Sequence, residues 1–382
     1  MKNEQIVSPA GRVLVIWHGA LYASYRKPFW ALQQDHGWDI HLLTARRWGQ
    51  AMTQTTRFEP ADDEPISVYP RLAWPGIHGA LFLQPAFLTL FERLRPDLLY
   101  IIEEPFSLMG WFAAYWSQRC APPVPYVLYT YQDLYKHYPQ PFCAMERMTL
   151  GYASRVLAPH SLAGRVVEQK GYQGLWDVVP QSVNLERFQY QEPHAATLFT
   201  LGYVGRLVEE KGIDTLLWAL SEMNASVRLR LVGDGPAKSR LQVLARELGV
   251  DDQIVFMPPM PHESLEAFYH EIDALVLPSR TTDRWQEQFG RVLIEAMACG
   301  TPVIGSDCGA IPEVIGEQGL VFAQNNSGQL AEQIELLAND QSLQRRFSLH
   351  GRVRVEQNFS AQKVARKLDQ HFREVLDHAR RA

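Results

Sequence analysis

Two carboxylates, Glu287 and Glu295, stand eight positions apart in Glu287-Gln-Phe-Gly-Arg-Val-Leu-Ile-Glu295. Phe289-Gly290 opens what reads as a helix continuing to Cys299. Gly300-Thr301-Pro302 stops it, and Val303 and Ile304 start a buried strand. A helix N-terminus presents unpaired backbone N–H groups and a partial positive charge, and both suit a phosphate. One carboxylate precedes that end and the other lies inside the helix, so both can face a ligand held there. This is the outline of a nucleotide-sugar site.

Elements that could position such a site recur along the whole chain. Short apolar runs alternate with helical patterns, the sequence form of a parallel sheet with crossover helices. In the first half the predicted strands are Val13–Trp17, Asp39–Thr44, Ile66–Tyr69, Leu98–Ile102, Tyr126–Tyr129, Arg155–Ala158 and Trp176–Val179, with helices such as Tyr25–His36, Pro105–Gln118 and Leu162–Lys170 between them. In the second half they are Leu198–Val204, Arg228–Val232, Ile254–Met257, Ala274–Leu277, Val303–Gly305 and Leu320–Phe322. The helices there are Thr215–Met223, Lys238–Leu248, Glu263–His270 and Arg291–Cys299. The polar stretch Gln181–Thr197 reads as a linker, and Gln329–Asn339, Gln341–Gln357 and Ala361–Ala379 form a helical tail.

The fold class predicted is therefore α/β, with two Rossmann-like domains whose parallel sheets face an interdomain cleft, and a C-terminal helical tail. The domains expected are residues 1–185, residues 186–360, and a terminal helix 361–382 packing back on the first domain.

The bulk numbers agree. A chain of 382 residues suits two domains of roughly 150–200 residues each. Hydrophobic content of 46% and charged content of 21% describe a globular protein. A net charge of −5 argues against a nucleic-acid partner. Cys120, Cys143, Cys299 and Cys308 show no CxxC or Cys/His metal spacing and read as reduced, mostly buried thiols of a cytoplasmic protein. The N-terminus is polar, without the apolar centre of a signal peptide, and no apolar run reaches the ~18 residues of a membrane span. Gly233-Asp-Gly-Pro236 lacks the spacing of a dinucleotide loop.

The second half closely resembles the retaining glycosyltransferases of family 4 (glycosyl transferases group 1), which have the GT-B fold. The matching pieces run in order from Gly202 to Glu313: Gly202-Tyr-Val-Gly205-Arg206 with Glu210-Lys211-Gly212, Leu231-Val-Gly-Asp-Gly-Pro236, Leu277-Pro278-Ser279, the Glu287/Glu295 segment, Gly300-Thr-Pro-Val-Ile304 and Gly309-Ala-Ile-Pro-Glu313. The resemblance implies a nucleoside-diphosphate-sugar donor and transfer with retention at the anomeric carbon. Mapped by motif, Arg206 and Lys211 neutralise the diphosphate, and backbone N–H groups near Phe289 and Gly290 contact phosphate or sugar. Glu295 accepts from the ribose hydroxyls, and Glu287 holds the transferred sugar.

The chemistry agrees with this mapping. Cleaving a glycosyl–phosphate bond leaves an oxocarbenium-like carbon and a diphosphate gathering negative charge, so fixed cations and backbone dipoles aimed at that charge are the largest catalytic contribution to expect. Arg206 follows a strand end and Lys211 opens the next helix. No DxD-type motif ends a strand, so the chemistry is expected to need no metal and no cofactor.

The first half departs from the family. The loop after the first strand, Trp17-His18-Gly19-Ala20-Leu21, has one glycine where the family often has two. Gly19 is a donor-phosphate candidate, as is Gly205 in the second half, and His18 is a catalytic candidate. Many members carry a histidine near the acceptor after the fifth-strand region. Here Gln132, Asp133 and His137 are the candidates to replace it, with Glu103 of Glu103-Glu104-Pro105 a further acceptor residue.

The expected function is transfer of a hexose-type sugar to a glycan or lipid-linked acceptor in envelope, exopolysaccharide or glycolipid assembly. The expected location is cytoplasmic, with peripheral contact at a membrane surface through Arg26-Lys27-Pro28-Phe29-Trp30, Arg46-Arg47-Trp48 and the Trp74–Phe91 segment. The competing readings are a synthase of a small glycoside or sugar phosphate, of the sucrose or trehalose type, and a non-catalytic nucleotide-sugar sensor.

Overall fold

The computed structural model describes residues 10–48, 56–71, 73–74, 81–82, 84–193, 198–223 and 227–381. The chain forms two compact units, one of Met1–Ser182 with Ala361–Ala382 and the other of Val183–Ser360.

The first unit is built on a seven-stranded parallel sheet: β1 (Gly11–Ile16), β2 (Trp38–Ala45), β3 (Ser67–Arg71), β4 (Leu98–Ile102), β5 (Tyr126–Tyr129), β6 (Arg155–Ala158) and β7 (Trp176–Val178). Its order is β7-β6-β5-β4-β1-β2-β3. Two short antiparallel pairs, Arg47–Trp48 with Thr56–Arg57 and Ala73–Trp74 with Leu81–Phe82, lie outside it.

Side chains alternate across a strand, and here both faces of the sheet centre are covered, so Val13–Ile16 of β1 and all of β4 and β5 are buried apolar runs. Val13 and Val15 of β1 join one core with Tyr100 and Tyr129, while Leu14 and Ile16 join a second with Leu99, Ile101 and Leu128. The helix Ala361–Arg381 covers the first face. Its apolar residues Val364, Leu368, Phe372, Val375 and Leu376 recur every three to four positions and make one stripe. Phe372 meets Trp38 and Tyr100 edge-on, at 5.6 and 5.2 Å between centroids.

The second unit has a six-stranded parallel sheet: β8 (Phe199–Val204), β9 (Val227–Val232), β10 (Ile254–Met257), β11 (Ala274–Leu277), β12 (Val303–Ser306) and β13 (Leu320–Phe322), in the order β10-β9-β8-β11-β12-β13. Both sheets reverse direction of growth once, between β1 and β4 in the first unit and between β8 and β11 in the second. The loops that follow these strands are where open α/β sheets bind ligands.

Several expectations are corrected. The stretch read as a linker is partly core: Val183 and Phe188 are buried in the second unit, and Val183 bridges Ser360. Residues 194–197 lie outside the described residues. The helix expected over Pro105–Gln118 begins at Leu108, because the Ser107 hydroxyl accepts from Gly110 N and caps it. The segment Glu263–His270 splits into a 3₁₀ turn, His262–Ser264, and the helix Leu265–His270.

Of the residues expected to face lipid, Arg26 is fully buried and paired with Glu64, and Phe29, Phe87, Leu90 and Phe91 belong to the cores. Arg46 and Arg47 are exposed. Residues 75–80 and 83 of the Trp74–Phe91 segment, and residues 1–9 of the polar N-terminus, lie outside the described residues. No helix among the described residues is long and apolar enough to cross a membrane. Cys299 and Cys308 are buried, whereas Cys120 and Cys143 are only partly so.

Candidate active site

In the second unit the loop after β8 carries Gly205 and exposed Arg206, then the turn Glu209–Lys211. Gly212 follows in the left-handed conformation at φ 62° and caps the helix Ile213–Glu222. A Cβ at Gly212 would collide with the Pro278 carbonyl at the end of β11, so only glycine lets the two loops approach here. That approach brings Lys211 to the residues following β11. Lys211 Nζ lies 2.6 Å from Glu287 Oε2 and 4.6 Å above the Trp285 ring. The buried Ser279 hydroxyl donates to the same Glu287 oxygen at 2.9 Å.

The backbone of Glu287 is fixed as well. Its N–H points at Cys308 Sγ at 3.4 Å, and its carbonyl accepts from Ala310 N at 2.9 Å. Gly309, at φ 57°, has no room for a Cβ beside that backbone.

Gly290 caps the helix Arg291–Cys299 in the left-handed conformation at φ 77°, with no side chain to occupy the first-turn N–H groups. The Phe289 ring is buried against Phe359, so only its backbone is available to a ligand. Glu295, one turn into the helix, is 3% exposed rather than open to solvent. Its Oε1 lies 3.1 Å from His262 Nε2, and its Oε2 accepts from the Tyr269 hydroxyl at 2.9 Å. Burial, and then the neighbouring Glu295 charge, push the Tyr269 hydroxyl well above its ordinary pKa. The two carboxylates therefore have separate surroundings, Glu287 with a lysine and a serine, Glu295 with a histidine and a tyrosine.

In the first unit the reversal point brings together two residues from different loops. His18, after β1, contacts both oxygens of buried Glu103, after β4, at 2.8 Å through Nδ1, and its backbone N–H donates to Oε1 at 2.9 Å. Burial pulls the His18 pKa down, but the Glu103 charge and hydrogen bond, with Glu104 behind them, outweigh it and the net direction is up. Gly19 sits beside His18 in the same loop.

Burial raises the Glu104 carboxyl to about 7, and Glu103 and Asp133 add to the rise. Hydrogen bonds from Thr130 Oγ1 at 2.6 Å and Tyr131 N at 3.0 Å oppose it. Gln132 and Asp133 are buried on the same loop, with Gln132 Nε2 donating to the Tyr138 hydroxyl at 3.3 Å and Asp133 4.0 Å from His160. His137 is exposed against the Tyr135 ring and is not drawn into this group.

The motif reading assigned no partner roles to Ser279, Trp285, Cys308, His262 or Tyr269. Ser279 carried a signal, since it stands just beyond the predicted strand Ala274–Leu277 in the Leu277-Pro278-Ser279 piece. Tyr269 and His262 had none, because only packing against the helix Arg291–Cys299 turns them toward Glu295.

The sequence pattern described as "Glycosyl transferases group 1" matches residues 184–354. A D-inositol 3-phosphate glycosyltransferase of Streptomyces bingchenggensis is 30% identical over 323 residues, covering 75% of this chain and 69% of the relative. The capsular polysaccharide biosynthesis glycosyltransferase CapM of Staphylococcus aureus is 28% identical over 88% of this chain and 90% of its own. HepE of Anabaena, solved in complex with UDP, superposes with a TM-score of 0.72 at 18% identity, covering 94% of this chain and 99% of HepE, which shows a shared fold. With two Rossmann-like units, the ordered motifs and these relatives in agreement, the chain belongs to the glycosyl transferases group 1 family.

Proposed function

We propose that the protein is a retaining glycosyltransferase of family 4. In this reading it moves a hexose-type sugar from a nucleoside diphosphate to a glycan or lipid-linked acceptor in envelope polysaccharide or glycolipid assembly, on the cytoplasmic side. The observation that carries the reading is Glu287, held by Lys211 and Ser279 at the strand-order reversal of the second unit.

Arg206 and Lys211 neutralise the departing diphosphate, and the open helix terminus at Gly290 adds backbone donors, so charge developing in the transition state meets fixed dipoles. Glu287 stands where the transferred sugar's hydroxyls and its positive carbon require an acceptor. Glu295 takes the nucleoside ribose. Cations of the chain supply the charge that a metal otherwise would, so turnover is expected to persist with a chelator present.

His18, Glu103, Gln132 and Asp133 are the proposed acceptor-side residues of the first unit. The name of the Streptomyces relative favours a second reading, a synthase acting on a small phosphorylated acceptor. A basic cluster would suit that acceptor, yet the loops after β4 and β5 carry Glu103, Glu104 and Asp133, and the exposed pair Arg46-Arg47 is the basic candidate for it. Contact with a membrane rests on that same exposed pair, and vesicle co-sedimentation at low salt tests it.

The deciding experiment has two stages. Thermal-shift measurements with UDP, GDP and ADP sugars identify the donor, since a ligand in excess stabilises by RT ln(1+[L]/Kd). Donor turnover is then followed by NMR of the anomeric proton. Stabilisation by none of the nucleotides would overturn the donor site, inversion would overturn retention, and binding without turnover over a panel of acceptors would favour a sensor.

A further inference from the structure

Glu295 is almost fully buried, and a carboxylate offers about four acceptor positions. Two are used, one on each oxygen, by His262 Nε2 at 3.1 Å and the Tyr269 hydroxyl at 2.9 Å. Arg291 Nε is farther, at 3.8 Å from Oε1.

The histidine is itself held from behind. Arg187 Nη1 lies 3.1 Å from His262 Nδ1, and a guanidinium can only donate. Nδ1 therefore accepts, and the ring carries its proton on Nε2, aimed at Glu295. Phe188 packs edge-on against the same ring at 5.4 Å and lies 6.0 Å from the Tyr269 ring, which fixes both donors by packing. The carboxylate is thus gripped once on each oxygen, and a buried carboxylate with acceptor capacity left over is costly unless a ligand supplies further donors. Two hydroxyls on adjacent carbons match the two oxygens in number and spacing.

We infer that Arg187, His262 and Tyr269 are positioning residues that hold Glu295 in one orientation for the vicinal diol of a ribose, and that they make this site selective for ribonucleotides over 2′-deoxyribonucleotides. The inference rests on the proposed donor role of Glu295. It adds a specificity that the carboxylate alone does not impose, because a freely rotating glutamate would accept from whichever hydroxyl is present.

The test is calorimetric titration of the full chain with UDP, GDP and ADP and with their 2′-deoxy counterparts. The nucleotide that binds is expected to bind about 10- to 100-fold more tightly than its deoxy form, the range of one hydrogen bond to a charged group. Tyr269→Phe and His262→Ala are expected to bring that ratio to within about threefold, mainly by weakening the ribonucleotide. His262→Gln, whose amide N–H can stand in for Nε2–H, is expected to recover part of it. Melting temperatures confirm that each variant is folded, and Tyr269→Phe, which removes one oxygen only, keeps the test open should His262→Ala unfold.

A wild-type protein that binds nucleotide without distinguishing ribose from deoxyribose overturns the inference and leaves the donor site standing. Variants that keep the wild-type ratio do the same. Failure of the wild type to bind any of the diphosphates overturns the inference and the donor reading together.

Discussion

Lys211 Nζ and Glu287 Oε2 are 2.6 Å apart although 76 residues separate them in the chain, and the Ser279 hydroxyl bonds the same oxygen. The second glutamate oxygen is left to accept from a ligand, while the lysine keeps its remaining donors for a second anion. One ion pair therefore joins the residue proposed for the sugar to the residue proposed for the diphosphate. It also keeps both side chains in place before a donor arrives.

Glu287→Gln preserves shape but removes the charge. Transfer is expected to fall by about 100- to 1,000-fold, the scale of losing one preorganised electrostatic contact. The melting temperature is expected to stay close to wild type. Lys211→Met leaves a nearly buried carboxylate without its cation and is expected to cost about 1–3 kcal/mol, below the range for fully buried pairs because the lysine is partly exposed. The double variant should lose less than the sum of the two, and urea titrations of all four proteins measure the coupling.

Glu104 sets a pH dependence. Its carboxyl titrates near 7 in the folded protein and near 4.5 when unperturbed, so between these values the folded state binds more protons than the unfolded one. Stability is therefore expected to fall as pH rises from about 4.5 to about 7. Glu104→Gln should flatten that part of the curve, measured as urea midpoints over a pH series. An unchanged slope would show that the carboxyl titrates normally. His18 adds to the upper end of this fall: its raised pKa stabilises fully below 6.5 and that contribution is lost as pH climbs through the raised value, so His18→Asn should flatten the later part.

Gly212→Ala tests the approach of the two loops. The left-handed backbone and the collision with the Pro278 carbonyl together predict a loss of about 1–3 kcal/mol. Donor-nucleotide affinity should fall as well, because Lys211 is displaced. Gly249 is a control with φ 70° and open space around its Cβ position, so Gly249→Ala is expected to cost about 1 kcal/mol or less and to leave nucleotide affinity unchanged. Thermal melts and titrations of both variants decide the matter.

Phe372→Ala probes the return of the terminal helix to the first unit. The ring is fully buried between Trp38 and Tyr100, and its removal is expected to cost about 3–5 kcal/mol. Urea unfolding followed by tryptophan fluorescence would report it, and a loss under 1 kcal/mol would mean that the helix contributes little to this core.

What the sequence determined by itself is local. The strands Leu98–Ile102, Tyr126–Tyr129, Arg155–Ala158, Ile254–Met257, Ala274–Leu277 and Leu320–Phe322 have the bounds predicted for them, as does the helix Arg291–Cys299. Buried parallel strands are short apolar runs, and Gly300 in the left-handed conformation closes the helix Arg291–Cys299, so neighbouring residues carry those signals. The motifs likewise named Arg206, Lys211, Glu287 and Glu295 one at a time. Which side chains meet was decided by strand order. It joins His18 to Glu103 across 85 residues and Lys211 to Glu287 across 76. Packing against the helix Arg291–Cys299 turns His262 and Tyr269 toward Glu295, and Arg26 is drawn into the first unit, away from the surface expected for it. No local pattern encodes such pairings, because the energy that selects them comes from burying both faces of a sheet at once, and that exists only in the assembled unit.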